Sequence, residues 1–361
     1  MKSTNRISNK GVRGAIALAL VVALMLLTAC GSNNNSNNEG SSGSSTITSA
    51  SPSSGSASPS AEAARPSAAE TPSAEVNKTV RIGYQKYASI NILKEKGGLE
   101  EKLKEIGYKV EWTQFPGGPQ LLEAVNVGSI DFGNVGEAPP IFAQAAGTPL
   151  IYLGHSPASP KAEAILVPEN SPIKTGADLK GKKVALNKGS NVHYLLVKYL
   201  EKEGLKYSDI EVVFLPPADA RAAFESGNVD AWVIWEPFYS AAQLATKARV
   251  LADGEGLVDN YEYYLTTRTF AENDKAAIDV LLQQLNESDA WAKENLPDVA
   301  KLLAPALGLD IPSLEQALSH RGFGVEPITE DIIAAQQKIA DAFLELKLIP
   351  AAININDAIL K

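Results

Sequence analysis

The chain has 361 residues, 45% of them hydrophobic, a formal net charge of −9 and a single cysteine. This balance excludes a nucleic-acid partner held by phosphate contacts, which needs a basic surface. One cysteine also excludes an internal disulfide framework, so the fold rests on its core alone.

The amino terminus carries Lys2, Arg6, Lys10 and Arg13, then an apolar run over 15–27 that closes with Leu27, Thr28, Ala29 and Cys30. A basic start, a short apolar segment and small residues at a cleavage site make a secretory signal over 1–29. The run is too short to span a bilayer comfortably. Its last four residues resemble a bacterial lipobox. That resemblance implies lipid on the Cys30 thiol, cleavage before it and acylation of the new amino terminus. The alternative is an ordinary signal with an incidental cysteine, but an unpaired thiol gives a secreted protein nothing. The mature protein is then extracytoplasmic, anchored to the cell membrane by acyl chains rather than by a helix.

Residues 30–77 hold the lipidated cysteine and a stretch of Ser, Asn, Ala, Pro and Gly with almost no large apolar side chain. Such a segment cannot bury enough surface to offset chain entropy, and it reads as a disordered tether. Its root-mean-square reach is roughly 40 Å. A tether of this kind suits a thick Gram-positive wall.

From Thr79 onward, strand-like and helix-like segments alternate. Strands are predicted over 80–84, 109–115, 130–135 and 150–153, with helices over 98–106, 119–127 and 139–146. The rhythm restarts with strands over 183–186, 211–215, 231–235 and 250–251 and helices over 192–203, 217–226 and 238–246. Helix-separated strands imply parallel pairing with helices on the faces. The extended segments 164–168 and 263–267 are expected to be crossovers joining two lobes. The expected organisation is a first lobe over 78–164, a second over 165–262, and a return over 263–361 with carboxy-terminal helices. No short-period repeat is visible.

Several familiar motifs fail. Residues 176–182 match the first part of a phosphate-binding P-loop, but Lys183 stands where Ser or Thr must hold magnesium, and the segment precedes its strand. Its lysines read as a solvated turn. His155, His193 and His320 have no ligand spacing and read as surface or packing residues, so no metal and no cofactor are expected.

Three helix starts share one chemistry: Gly136–Glu137 before Pro139, Ser190–Asn191, and Pro216–Pro217 before Asp219. Each follows a strand, where open α/β sheets bind ligands. Free amides there hold anions without a formal cation. Ordinary helix capping explains any one of them; two from different lobes facing one cleft make a site. In the aromatic strand, Trp232 and Ile234 share one face and Val233 and Trp235 the other. Trp232 reads as core, and Trp235, nearer the strand end, as core or cleft wall.

The segments IGYQK (82–86), FPGGPQLLEAVNVGSIDFG (115–133), GEAPPIFAQAAG (136–147), ILVPENSPIKTGADLKGKKVALNKGSNVHYLL (165–196) and PADARAAFESGNVDAWVIWEPFYSAA (217–242) resemble aliphatic sulfonate-binding proteins of ABC transporters. The resemblance covers 80–350 and implies an α/β, two-lobed type II periplasmic-binding-protein fold with two interlobe crossovers. It implies a ligand wall of Gln85, Gly117, Gly118, Gly136 and Glu137 in the first lobe, and Ser190, Asn191, Asp219 and Trp235 in the second. Glu137 stands where close relatives are expected to have a shorter Asp. Near the anion it would favour sulfonates bearing an amine; otherwise it is a rim residue. Asn191–Val192 is bulkier than the expected serine-rich turn.

The function implied is a monomeric, lipid-anchored receptor that captures an organosulfonate and delivers it to an ABC permease and its ATPase. A related ligand such as taurine, nitrate or a thiamine precursor fits the same fold. An extracytoplasmic enzyme is the contrasting class. It would need an activated nucleophile or base in the cleft. Cys30 is consumed by lipidation and His193 lies inside a helix, so no enzyme is expected.

Overall fold

The computed structural model describes residues 77–360; the signal, Cys30 and nearly all of the tether lie outside the described residues. The first half of the fold contains β1 (Lys78–Gln85), α1 (Ser89–Lys96), α2 (Leu99–Glu105), β2 (Tyr108–Phe115), α3 (Gly118–Asn126), β3 (Phe132–Gly136), α4 (Pro139–Ala145) and β4 (Leu150–His155). Next come β5 (Glu163–Val167), β6 (Lys183–Leu186), α5 (Asn191–Lys202), β7 (Glu211–Phe214), α6 (Pro217–Glu225), β8 (Ala231–Trp235), α7 (Phe238–Thr246) and β9 (Arg249–Asp253). The chain closes with β10 (Glu262–Thr267), α8 (Arg268–Asn273), α9 (Lys275–Glu294), α10 (Leu296–Leu307), α11 (Ile311–Ser319) and α12 (Glu330–Glu345).

The strands form two five-stranded sheets, in the orders β2-β1-β3-β10-β4 and β7-β6-β8-β5-β9. β1 pairs parallel with β2 and β3, and β6 with β7 and β8, as helix-separated strands require. The expectation of parallel pairing fails at two strands. β10 runs antiparallel to β3 and β4, and β5 antiparallel to β8 and β9. These are the two segments expected to be crossovers. Each is a strand inside a sheet, and the chain passes between sheets just ahead of it, along 156–162 and 254–261. A strand entering from the other sheet arrives without a covering helix, so nothing forces it parallel.

Side-chain alternation decides what each face buries. In β8, Trp232 and Ile234 pack with Phe224 and Tyr239 from α6 and α7, while Val233 packs with Leu195 and Tyr199 from α5. Trp232 is fully buried, as its position predicts. On the first sheet, Leu121, Ile141 and Phe343 from α3, α4 and α12 cover one face. Ile90, Leu103 and Leu281 from α1, α2 and α9 cover the other. Each such side chain contributes about 1.5–3 kcal/mol, which makes these faces the main source of stability. Of the carboxy-terminal helices, α9 and α12 pack on the first sheet, α10 and α11 pack with α1 and α9, and α11 also touches α7, where Gln316 donates to Gln243.

Proline opens α3, α4 and α6 within the first turn, where an amide hydrogen is not needed. Residues 176–179 form a 3-10 turn held by reciprocal hydrogen bonds between Thr175 and Asp178, ahead of β6. Lys174, Lys180 and Lys183 there are exposed, consistent with a solvated turn.

Candidate functional site

The carboxyl ends of β1, β3 and β8 face one another across the cleft between the sheets, around a cavity of about 80 Å³. Gln85, Lys86 and Tyr87 line it from the end of β1 and the turn beyond, and Gly136 from the end of β3. The first crossover supplies Ser156, Ser159 and Ala162; the second, with the start of β10, supplies Asn260, Tyr261 and Glu262. Asn191 opens α5, Trp235 ends β8 with Glu236 just beyond it, and Arg321 enters from the loop after α11. The end of β3 at Gly136 and the start of α5 at Asn191 therefore meet in one cavity, while α4, which opens on Pro139 and Pro140 without amide hydrogens, begins beyond its wall.

Of the nine ligand-wall residues expected from sequence, Gln85, Gly136, Asn191 and Trp235 line this cavity. Two of the glycines serve close approach of the sheets. A Cβ on Gly136 would stand 2.8 Å from Asn191 Oδ1, and one on Gly117 would stand 2.7 Å from Asn187 Nδ2, which follows β6. Gly118 instead packs within the first lobe, where a Cβ would meet Pro139 Cγ at 2.8 Å. Ser190 is buried, and its hydroxyl donates to Asn187 O at 2.6 Å rather than capping α5. Asp219 is exposed in the first turn of α6 and does not line the cavity.

Glu137 turns behind the cavity wall. Its Oε2 accepts from Tyr261 N at 3.2 Å, and its other oxygen is buried without a partner. Burial pushes its carboxyl up to about 8, against the pull of the Tyr261 and Asn260 amides. Glu163, at the start of β5, is fully buried and raised well above the usual carboxylate range by burial and then by Glu137. Asn191 Nδ2 donates to Glu163 Oε2, and to Asn260 Oδ1 at 2.9 Å. Asn260 in turn donates to Ser159 O at 2.9 Å. Asn191 thus ties α5 to both crossovers, and the two acids behind it are held toward the neutral form.

Arg321 is the buried cation of the site; Lys86, the other cation in the wall, donates through its ammonium to Leu307 O at 3.1 Å. Arg321 Nη2 donates to Glu262 Oε2 at 3.0 Å and to Ser89 Oγ at 2.9 Å, and Nε donates to Gly322 O at 3.3 Å. Nη1 has no protein partner among the described residues. Burial works against its charge, but Glu262 and Asp289 outweigh burial and hold it cationic. The guanidinium lies over the Tyr87 and Phe323 rings, at 5.6 and 5.3 Å. Beside it, Glu236 Oε1 accepts from His320 Nδ1 at 2.7 Å, which links β8 to the loop after α11.

Sequence reasoning missed Arg321, Glu262 and Tyr87. Arg321 lies in a loop of the helical tail, far from any strand end, and no motif flags it. Tyr87 has one local signal: it adopts φ 64° without being glycine, a strained conformation that clusters at functional sites. Two histidines are packing residues, as expected. His155 is buried, with Nδ1 against Ser156 O at 2.7 Å. His193 is fully buried, and burial followed by Lys188 pushes it down to about 4. Among the described residues, no group of three His, Cys, Asp or Glu side chains is placed to hold a metal ion.

The chain matches the protein family described as NMT1/THI5 like over residues 103–300. It is 48% identical over 285 residues to an aliphatic sulfonates-binding protein of Escherichia coli (strain K12), covering 78% of this chain and 88% of that protein. A protein so described in Bacillus subtilis (strain 168) is 37% identical over 285 residues, 78% of this chain and 86% of that one. Among solved structures, the alkanesulfonate-binding protein from Xanthomonas axonopodis pv. citri bound to MOPS superposes with a TM-score of 0.75 at 44% identity. That match covers 80% of this chain and 99% of the other.

Proposed function

The chain belongs to the aliphatic sulfonate-binding family, and from that premise we propose that it captures a short aliphatic sulfonate in its interlobe cavity and delivers it to an ABC permease. One observation carries this reading: the start of α5 and the end of β3, from different sheets, meet a buried guanidinium with a free Nη1 in a cavity of about 80 Å³. A sulfonate is ionised at physiological pH and only accepts hydrogen bonds. The first amides of α5 have no intrahelical acceptor and carry the positive end of the helix dipole. Gln85 adds a carboxamide, one hydrogen of which goes to Asn134 O, and Arg321 adds a formal charge, whose hydrogen bonds to an anion are the stronger kind. The earlier expectation of an uncharged donor set is therefore revised to include one cation.

The cavity volume favours a small ligand. A sulfonate with a short alkyl chain suits a cavity of this size. Trp235 and Ala162 offer the apolar contacts for such a chain. Of the residues expected at the wall, the same proposal assigns direct contact to Gln85, Gly136, Asn191 and Trp235. It assigns closure of the cleft to Gly117 and Gly136. Gly118, Glu137, Ser190 and Asp219 support the wall or lie outside it.

The remaining parts of the proposal rest on sequence and on the relatives. The protein releases its ligand unchanged and acts as a monomer outside the cytoplasmic membrane, anchored through lipidated Cys30 and a tether reaching residue 77. Its partners are the permease and the attached ATPase. A thermal-shift panel tests the core of this reading, since a ligand that binds only the folded state raises its stability. Short alkanesulfonates should raise the melting temperature and be recovered intact, while sulfate, nitrate and bicarbonate should not shift it. A shift with nitrate or bicarbonate and none with any sulfonate overturns the assignment.

A further inference from the structure

We propose that closure of the cleft on its ligand protonates Glu163, so that each captured sulfonate brings one proton from solvent into the protein. This rests on the sulfonate-binding reading and adds to it a coupling between ligand and proton.

Glu163 lies at the joint of the two lobes, as the first residue of β5 after the first crossover. It is fully buried. Its Oε2 accepts from Asn191 Nδ2, and its Oε1 is buried without a partner. The titratable group that acts on it is Glu137 of the first lobe. Around Glu137 in turn stand Asp259 and Tyr261 of the second crossover, Tyr194 of α5 and Tyr263 of β10. Lys338 of α12 shares the surface cleft behind Glu137 but is exposed. Among the described residues, none of the groups that act on either carboxyl is a cation. A buried carboxylate without a cation costs far more than a buried carboxylic acid, so the site favours the proton. Burial is the main cause that lifts Glu163 well above its ordinary 4.5.

The seam over Glu163 is made by both lobes and both crossovers. Asn191, which donates to Glu163, lies against Gly136 of the first lobe, where a Cβ would stand 2.8 Å from Asn191 Oδ1. Asn191 Nδ2 also donates to Asn260 of the second crossover, and Asn260 to Ser159 O of the first. Opening at the crossovers lifts Gly136 and Glu137 off Asn191, admits water to the seam and lets Glu163 ionise. Closing expels that water, and the carboxylate takes a proton. Glu137 stays with its own neighbours, since Tyr261 N donates to its carboxyl and Gln336 Nε2 to its backbone oxygen. Its proton is not the one exchanged.

The sign follows from linkage. The closed form holds the proton more tightly than the open one, so affinity is greatest at low pH. It falls as pH rises above the ordinary carboxylate range. A sulfonate does not titrate there, and Arg321 stays cationic. Glu262 and Asp289 are the other acids raised by burial near the site, and Arg321 opposes the rise in both.

The test is calorimetric titration of the mature protein with propane-1-sulfonate in phosphate and in Tris. These buffers differ in ionisation enthalpy and are not themselves sulfonates. The difference in measured heat should correspond to uptake of about one proton per ligand near neutral pH. Affinity should fall roughly tenfold between about pH 6 and pH 8. Glu163→Gln should abolish the uptake and flatten the profile, whereas Glu262→Gln should keep the uptake. If the Glu163 variant does not fold, infrared difference spectra of the native protein carry the test. Ligand should then produce a new carboxylic-acid carbonyl band at the expense of a carboxylate band. Binding without proton uptake or without that band overturns the coupling and leaves the sulfonate reading standing. Uptake that survives in Glu163→Gln and is lost in Glu262→Gln also overturns it. If propane-1-sulfonate binds at no pH while nitrate or bicarbonate does, the sulfonate reading fails and the coupling falls with it.

Discussion

Replacing Glu137 with glutamine should flatten the dependence of folding stability on pH. Glu137 is 1% exposed, and its carboxyl is pushed by burial from 4.5 up to about 8. The sign follows from proton linkage. Below pH 4.5 the group is protonated in both the folded and the unfolded chain and has no effect. Above it, the unfolded chain ionises while the folded one stays protonated, so stability falls until the pH passes about 8. The loss is about 1.4 kcal/mol for each pH unit in that window, or about 3 kcal/mol between about pH 5 and pH 7.5. Glutamine keeps the shape and cannot ionise. Urea unfolding curves at several pH values measure the difference directly. The glutamine variant should gain on the native protein as pH rises, by roughly that 3 kcal/mol. Parallel pH profiles would show that Glu137 is not held neutral, and the account of the buried acid pair would be wrong.

Gly136→Ala should weaken ligand binding, because its Cβ would stand 2.8 Å from Asn191 Oδ1 in the cavity wall and overpacking of this kind costs about 1–3 kcal/mol; equal affinity by titration would refute it. Asn191→Ala should cost about 1–3 kcal/mol of stability by removing donors to Glu163 and Asn260, measured by urea unfolding. Small-angle scattering should show a smaller radius of gyration at ligand saturation, because the cavity wall draws on both sheets and the two crossovers act as hinges. Cys30→Ala should move the protein from the membrane to the soluble fraction at unchanged affinity, since stable anchoring needs the acyl chains.

Much of the local order was legible in the sequence. Alternation in β8 separates the buried Trp232 from the cavity-lining Trp235, because successive side chains on a strand point to opposite faces. The start of α5 at Asn191 is marked by the strand–Gly-Ser-Asn pattern and stands in the cavity wall; of the strand–turn–proline pattern only Gly136, the end of β3, does. Ser190 shows the limit of such patterns. A serine at a helix start suggests a cap, but its hydroxyl is taken by Asn187 O, a partner in its own turn.

Pairing direction, cavity membership and the state of each acid were decided only by tertiary structure. The antiparallel placement of β5 and β10 depends on where each strand arrives from, and no residue within the strand records that. Arg321 joins the wall from a loop about fifty residues beyond the last strand, through contacts with Glu262 and Ser89. Glu137 and Glu163 look like any other acids in the sequence. Burial between the two sheets sets them apart, because the cost of a charge depends on the surrounding dielectric and partners rather than on sequence neighbours. Sequence alone determined which segments become strands and helices and which faces they bury, since those follow from local periodicity. The three-dimensional fold decided which distant groups share one small, partly dry space, since electrostatic and steric effects act through distance in space.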